Sequence, residues 1–443
     1  MPTLLLAAAL TLAAPDAGWQ AGFAAVKITP ERPVWMAGYA ARTAPAAGTE
    51  TDLYARAAAF ADPAGKRFVL VALDLVGIDR DLSQLVARRI REKHGLPREA
   101  VALTVTHTHC GPVVGTTLRS MYFLDAGQAE RVREYTTALP AKVLAAVDAA
   151  VADLRPVTLH FAEGTASFAV NRRANKEAEV PKLRAAGTPL QGPTDHRVPV
   201  LAARGPDGKL RGVVFGYACH ATTLDFLKWC GDYPGYAVAE LEAANPGAVA
   251  VFVAGCGADQ NPLPRRTVEL AKGYGRQLAA AVTDVLGEPT PSVKGKWSGR
   301  YAEIDLPFAK VPTRDELQAD LRDKNKYVAA RAKDLLAGVD GGQPVPASYP
   351  YPVQVWKLGD RVTWALLGGE VVVDYSLRLS RDLGPGPVWV SGYANDVMAY
   401  IPSERVLAEG GYEGGGAMVY YGRPGPWAAG IERRITDSLT RMR

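Results

Sequence analysis

Two of the six histidines stand one residue apart, in His107-Thr108-His109-Cys110-Gly111-Pro112, directly after the apolar run VALTV at 101–105. In extended backbone, side chains two residues apart share a face, so both imidazoles would project together from the end of a buried strand. Neutral imidazole is the commonest metal ligand and also a general acid or base; two packed histidines are the alternative this spacing leaves open. His220 closes a second apolar run, 213–219, and opens Ala221-Thr222-Thr223. Taken alone it reads equally as a satisfied buried histidine. A third run, 249–254, ends in Gly255-Cys256-Gly257-Ala258-Asp259-Gln260-Asn261-Pro262. Small residues there let the backbone approach a ligand, although a plain turn would use them too. Glu370 follows the run 364–369 and precedes a helical pattern at 371–379. A carboxylate at a helix start is also simply a favourable dipole contact. Asp74, after FVLVAL at 68–73, is placed to orient a ligand histidine from behind. In combination, several apolar runs each end in a His, an acid or a Gly-rich polar loop. Two or three His/Glu ligands with one open position describe a catalytic zinc site rather than a closed structural one.

The elements that must carry these groups alternate. Runs at 68–73, 101–105, 157–169, 198–203, 210–217, 248–253, 353–358, 362–367 and 388–390 read as strands. Helical patterns occupy 78–94, 129–154 with an interruption at Pro140, 267–286, 313–336 and 427–442. This predicts an α/β to mixed α+β fold: a single large domain, residues 18–443, with buried mixed sheets flanked by helices. The Gly/Pro-rich stretch 337–352 reads as a surface loop.

Composition narrows the function classes. Hydrophobic residues make up 48% and charged residues 22% of 443, which excludes a largely disordered chain. A net charge of +5 with scattered Lys and Arg gives no nucleic-acid footprint. Residues 4–14 form an apolar run too short to span a bilayer and followed by small residues, so 1–17 read as an export signal. That predicts a secreted or periplasmic protein without a transmembrane segment. Cys110, Cys219, Cys230 and Cys256 show no C-x-x-C spacing; one or two disulfides, Cys219–Cys230 closing the shortest loop, and buried free thiols both remain open.

The motifs, in order, resemble the N-terminal catalytic domain of the neutral/alkaline, non-lysosomal ceramidases. They are Ala25-Val26-Lys27-Ile28-Thr29-Pro30, HTHCGP, Asn171-Arg172, Tyr217-Ala218-Cys219-His220, GCGADQNP, Gly369-Glu370, Tyr400-Ile401-Pro402 and Tyr412-Glu413-Gly414-Gly415. The resemblance implies Zn²⁺ held by His107, His220, Glu370 and Tyr400, with His109, Arg172 and Tyr412 lining an amide-binding site and stabilising an oxyanion. It also sets two departures. Those ceramidases place a serine, in a pattern like GDVSPN, where this chain has Gln260, whose amide would bind a substrate carbonyl or position a water. They also carry a further C-terminal β-domain, for which this chain, ending soon after Tyr420-Tyr421-Gly422, is expected to lack room.

The expected function is therefore an exported zinc-dependent hydrolase of an amide or ester bond, with metal-activated water as nucleophile and a small molecule, lipids among them, as substrate. The alternative is a catalytically inactive relative that binds a ligand at the cell surface. A metal-dependent phosphoesterase fits less well, because no two-metal carboxylate cluster is visible.

Overall fold

The computed structural model describes residues 18–443, so the apolar run at 4–14 lies outside the described residues. Two larger sheets form its centre. In one the strand order is Val101–Val105, Arg67–Leu73, Tyr54–Ala61, Gln20–Lys27, Arg155–Pro156. In the other it is Val249–Ala254, Leu210–Tyr217, Arg197–Arg204, Thr158–Thr165. Each has one parallel pair, Arg67–Leu73 with Val101–Val105 and Leu210–Tyr217 with Val249–Ala254. Both members of the first pair are almost wholly buried, as the unbroken apolar runs FVLVAL and VALTV require of strands covered on both faces. A third sheet, ordered Trp297–Pro307, Ser348–Leu358, Val362–Leu367, Val388–Ser391, again ends in a parallel pair. Its core is an indole stack in which Trp364 and Trp389 lie 3.8 Å apart at 5°. The expected mixed α/β architecture is thus present, with helices such as Arg80–His94, Ala126–Ala152 and Val268–Gly287 against the sheets.

Local details depart from expectation for identifiable reasons. The helix Ala126–Ala152 runs through Pro140, because packing along Gln20–Lys27 and Tyr54–Ala61 holds it despite the one lost hydrogen bond. The helical pattern at 313–336 is two helices, Arg314–Asp320 and Lys326–Asp340. Asp323 and Asn325 side chains capture backbone N–H groups between them and start the second helix afresh. The loop expected at 337–352 shrinks to 341–347: the helix continues to Asp340, and the strand Ser348–Leu358 begins before the prolines end. Pro350 and Pro352 are tolerated because Val362–Leu367 pairs only with residues 353–358, leaving one side of that strand end open. All four cysteines are buried free thiols, so the disulfide alternative fails.

The three parallel pairs bring their carboxyl ends together. Thr104 bridges to Ala394 and Gly255 to Ser391, and Asn395 N–H donates to Leu103 O at 2.6 Å. The segment after Val388–Ser391 thereby stitches all three sheets at the place where α/β folds collect their sites. Among the described residues no helix is long and apolar enough to cross a membrane.

Candidate metal centre

His107 and His109 leave the end of Val101–Val105, His220 follows Leu210–Tyr217, and Glu370 and Tyr400 face each other in register on a short parallel pair, Glu370–Val371 with Tyr400–Ile401. The two histidines one residue apart do converge, with rings 4.8 Å apart, but not by strand alternation. The strand has ended, and His107 sits at φ 60°, left-handed backbone that is uncommon outside glycine. Tyr393 (φ 55°) and Asn395 (φ 65°) beside it are left-handed as well, a clustering of strain typical of functional sites.

The imidazoles are fixed by their outer nitrogens. His107 Nδ1 lies 2.6 Å from Val76 O, and His220 Nδ1 lies 2.7 Å from Gly257 O. Carbonyl oxygens only accept, so each Nδ1 carries the proton and each Nε2 presents a lone pair inward. Burial and the nearby Arg172 charge push His220 down to about 4, and burial with the neighbouring imidazoles holds His109 well below its ordinary value. Glu370 is 3% exposed. Its Oε2 lies 3.2 Å from His107 Nε2 and 3.1 Å from His220 Nε2 and accepts no hydrogen bond. Tyr400 Oη is 3.3 Å from His220 Nε2, and His109 Nε2 is 3.2 Å from His107 Nε2.

Lone pairs of two imidazoles and an unpartnered buried carboxylate oxygen thus point at one another, an arrangement that is repulsive unless a cation fills it. Zinc bonds of about 2.0–2.1 Å place neighbouring tetrahedral ligands roughly 3.3–3.4 Å apart, close to these separations. His107, His109 and His220 by themselves also form a group able to hold a metal, with ligand atoms within 4.8 Å of one another. The residues present therefore fit a metal ion.

Arg172 forms the wall beside this centre. Its guanidinium donates to Glu413 Oε1 at 2.7 Å, Asn261 Oδ1 at 3.3 Å and Tyr400 Oη at 3.1 Å. Glu413, 4% exposed, also binds Arg173 at 2.7 Å. Tyr412 is 43% exposed, its ring 5.2 Å from Tyr400 and 5.8 Å from the Arg172 guanidinium carbon. Replacing Glu413 with alanine strands two partly buried guanidinium groups; we expect a loss of about 3 kcal/mol in stability, read by denaturant unfolding.

Gln260 is not a cleft-facing group. It is wholly buried; its Nε2 donates to Ala218 O and its Oε1 accepts from Asp195 N at 3.2 Å. Strand alternation along Gln260–Pro262 turns the next side chain, Asn261, toward Arg172 instead. Gln260 serves the site by position: its backbone O accepts from His220 N at 2.9 Å. Gln260→Ala should therefore lower stability by about 1–3 kcal/mol through unpaired buried backbone groups, visible as a reduced melting temperature. Asp74 does not orient a histidine either. Its Oδ2 accepts from Tyr54 N, while backbone carbonyls take the Nδ1 protons of His107 and His220.

Four contributors went unread in the sequence. Tyr421 donates its hydroxyl to Glu370 Oε1. Tyr393 lays its ring 4.3 Å from that of His107. Glu413 anchors Arg172. Asp259 joins Asn171 Nδ2 to Val373 N at the start of the helix after Glu370. Glu413 and Asp259 lay within the quoted YEGG and GCGADQNP segments, whereas Tyr393 lay in no quoted motif. Gly257 has a legible reason: a Cβ there would lie 2.5 Å from Cys219 N.

The sequence model of the neutral/alkaline non-lysosomal ceramidases, N-terminal part, matches residues 19–307. That segment carries His107, His109, Arg172, His220 and Gln260, whereas Glu370, Tyr400 and Tyr412 lie beyond it. No curated protein matches the sequence. Among solved structures, the chain is similar to the neutral ceramidase from Pseudomonas aeruginosa, at 22% identity and a TM-score of 0.75, over 97% of this chain and 74% of that one. It is similar also to a ceramidase complexed with C2, at 20% identity and 0.74, over 96% of this chain and 75% of that one. The family match covers residues 19–307, well over half of the chain, and the shared fold agrees with it: the chain belongs to the neutral/alkaline non-lysosomal ceramidase family.

Proposed function

We propose that the protein is a zinc-dependent hydrolase of an amide or ester bond. The observation that carries this reading is Glu370 Oε2, buried without a donor between two Nε2 lone pairs. His107, His220, Glu370 and Tyr400 would hold the ion. Bound there, zinc supplies a Lewis acid for the scissile carbonyl and lowers the pKa of water toward neutrality.

The chain's own residues do the rest. His107 and His220 are locked in one tautomer by Val76 O and Gly257 O, so their lone pairs need no reorientation. Tyr421 holds the second carboxylate oxygen and thereby the direction of the first. Arg172, cationic and donating to Tyr400 Oη, faces the place where negative charge develops on the substrate oxygen. The exposed Tyr412 stands beside it as a second group for that oxygen. His109 has a buried Nδ1 without a partner and an Nε2 among the inward-facing atoms, which suits proton transfer to the leaving group. Gln260 has no chemical step in this scheme.

The test is metal analysis of the purified protein together with turnover of acyl amides and acyl esters. One equivalent of zinc, activity lost on chelation and regained with zinc, is the expected result. Stoichiometric zinc without turnover of any amide or ester would instead make the protein a ligand binder.

A further inference from the structure

A wall of aromatic side chains runs outward from the metal centre. The Tyr400 ring lies 5.2 Å from Tyr412, Tyr412 lies 6.1 Å from Tyr420, Tyr420 lies 4.9 Å from Tyr327, and Tyr327 lies 5.8 Å from Phe123. Tyr400 is 4% exposed, Tyr412 43% and Phe123 50%, with Tyr420 and Tyr327 half-buried between the last two. Separate stretches of chain supply it: the Tyr400–Ile401 strand, the loop bearing Tyr412 and Tyr420, the helix Lys326–Asp340, and the loop before Ala126–Ala152. A contiguous aromatic stripe, partly exposed and assembled from distant segments, marks a binding surface rather than chance exposure.

Its shape and charge limit what it binds. Successive ring planes are inclined by 70°, 48°, 62° and 50°. Such a zigzag offers no flat platform for a planar ring system, whereas a flexible alkyl chain follows inclined faces. At the outer end Lys326 Nζ stands 4.8 Å from the Phe123 ring centre and 5.1 Å from that of Tyr327. Among the described residues no carboxylate forms a salt bridge with it, so its charge is open to a ligand.

We infer that this wall is a substrate subsite: the alkyl chain on one side of the scissile bond lies along Tyr412, Tyr420, Tyr327 and Phe123 and ends in an anionic group at Lys326. The inference rests on the hydrolase reading above and adds the selection of a chain with an acidic end.

Two series of soluble acyl amides test it, one lengthened on the acyl side and one on the amine side, each ending in methyl, carboxylate or trimethylammonium. In one series kcat/KM should rise with length, and the carboxylate should exceed the trimethylammonium compound by roughly tenfold. Lys326→Glu should reverse that preference. Phe123→Ala should lower kcat/KM of the longest member about fivefold and leave the shortest unchanged. Turnover of short amides with no dependence on length or end charge in either series would overturn the subsite while leaving the hydrolase reading intact. Phe123→Ala that abolishes sedimentation with anionic phospholipid vesicles, with soluble kinetics unaltered, would make the wall a bilayer contact and overturn it too. Absence of hydrolysis with every amide and ester, zinc being bound, would overturn the hydrolase reading and this inference with it.

Discussion

Glu370→Gln should empty the metal centre and reduce turnover by at least about a thousandfold. The exchange keeps shape, so the effect is electronic. Glu370 Oε2 faces His107 Nε2 at 3.2 Å and His220 Nε2 at 3.1 Å, both bearing lone pairs. A carboxylate there repels them until a cation is present. A glutamine amide can turn its NH₂ toward one of the two imidazole nitrogens and satisfy it as a donor. The metal-free variant should therefore melt at the same temperature as the metal-free parent, or higher, because a buried charge is replaced by a hydrogen-bonded neutral group. Zinc content after dialysis, melting temperature with and without zinc, and turnover measure the three parts. Stoichiometric zinc and full activity in Glu370→Gln would sink the assignment of this carboxylate.

Arg172→Lys should lower kcat by about 10²–10³-fold with a small change in KM, the signature of a group that acts mainly on the transition state. The guanidinium fork reaches Glu413, Asn261 and Tyr400 at once, at 2.7, 3.3 and 3.1 Å. An ammonium is a point charge and cannot hold three acceptors in those directions. Zinc content should stay near that of the parent, because the proposed ligand set leaves Arg172 out. A rise in KM at unchanged kcat would make Arg172 a binding group for the ground state only. Loss of zinc in Arg172→Lys would mean that it acts by placing Tyr400.

Many of the strands, most helices and the order of the motifs were legible, the buried parallel strands because they write themselves as unbroken apolar runs. FVLVAL, VALTV and the run at 210–217 needed no tertiary information. The strands Gln20–Lys27, Tyr54–Ala61 and Trp297–Pro307 were not read. Alanine-rich YARAAAFA has weak strand propensity, and WSGRYAEIDLP, on a sheet edge, is mostly half-buried or exposed, so neither carries the apolar signal.

At the site the same division holds. Residue type and placement at the ends of apolar runs by themselves singled out His107, His109, His220 and Glu370, and the resemblance of the motifs to the family added Tyr400 and Arg172. What each one does was decided only in three dimensions. Val76 O and Gly257 O select the histidine tautomers, and Tyr421 orients Glu370, across separations of 31, 37 and 51 residues. Gln260 has the composition of a cleft residue, yet strand alternation points it at Ala218 and Asp195 and gives the cleft to Asn261. A sequence states which lone pairs and charges exist; their direction follows from which backbone groups the folded chain brings within hydrogen-bond reach, and no local pattern carries that information.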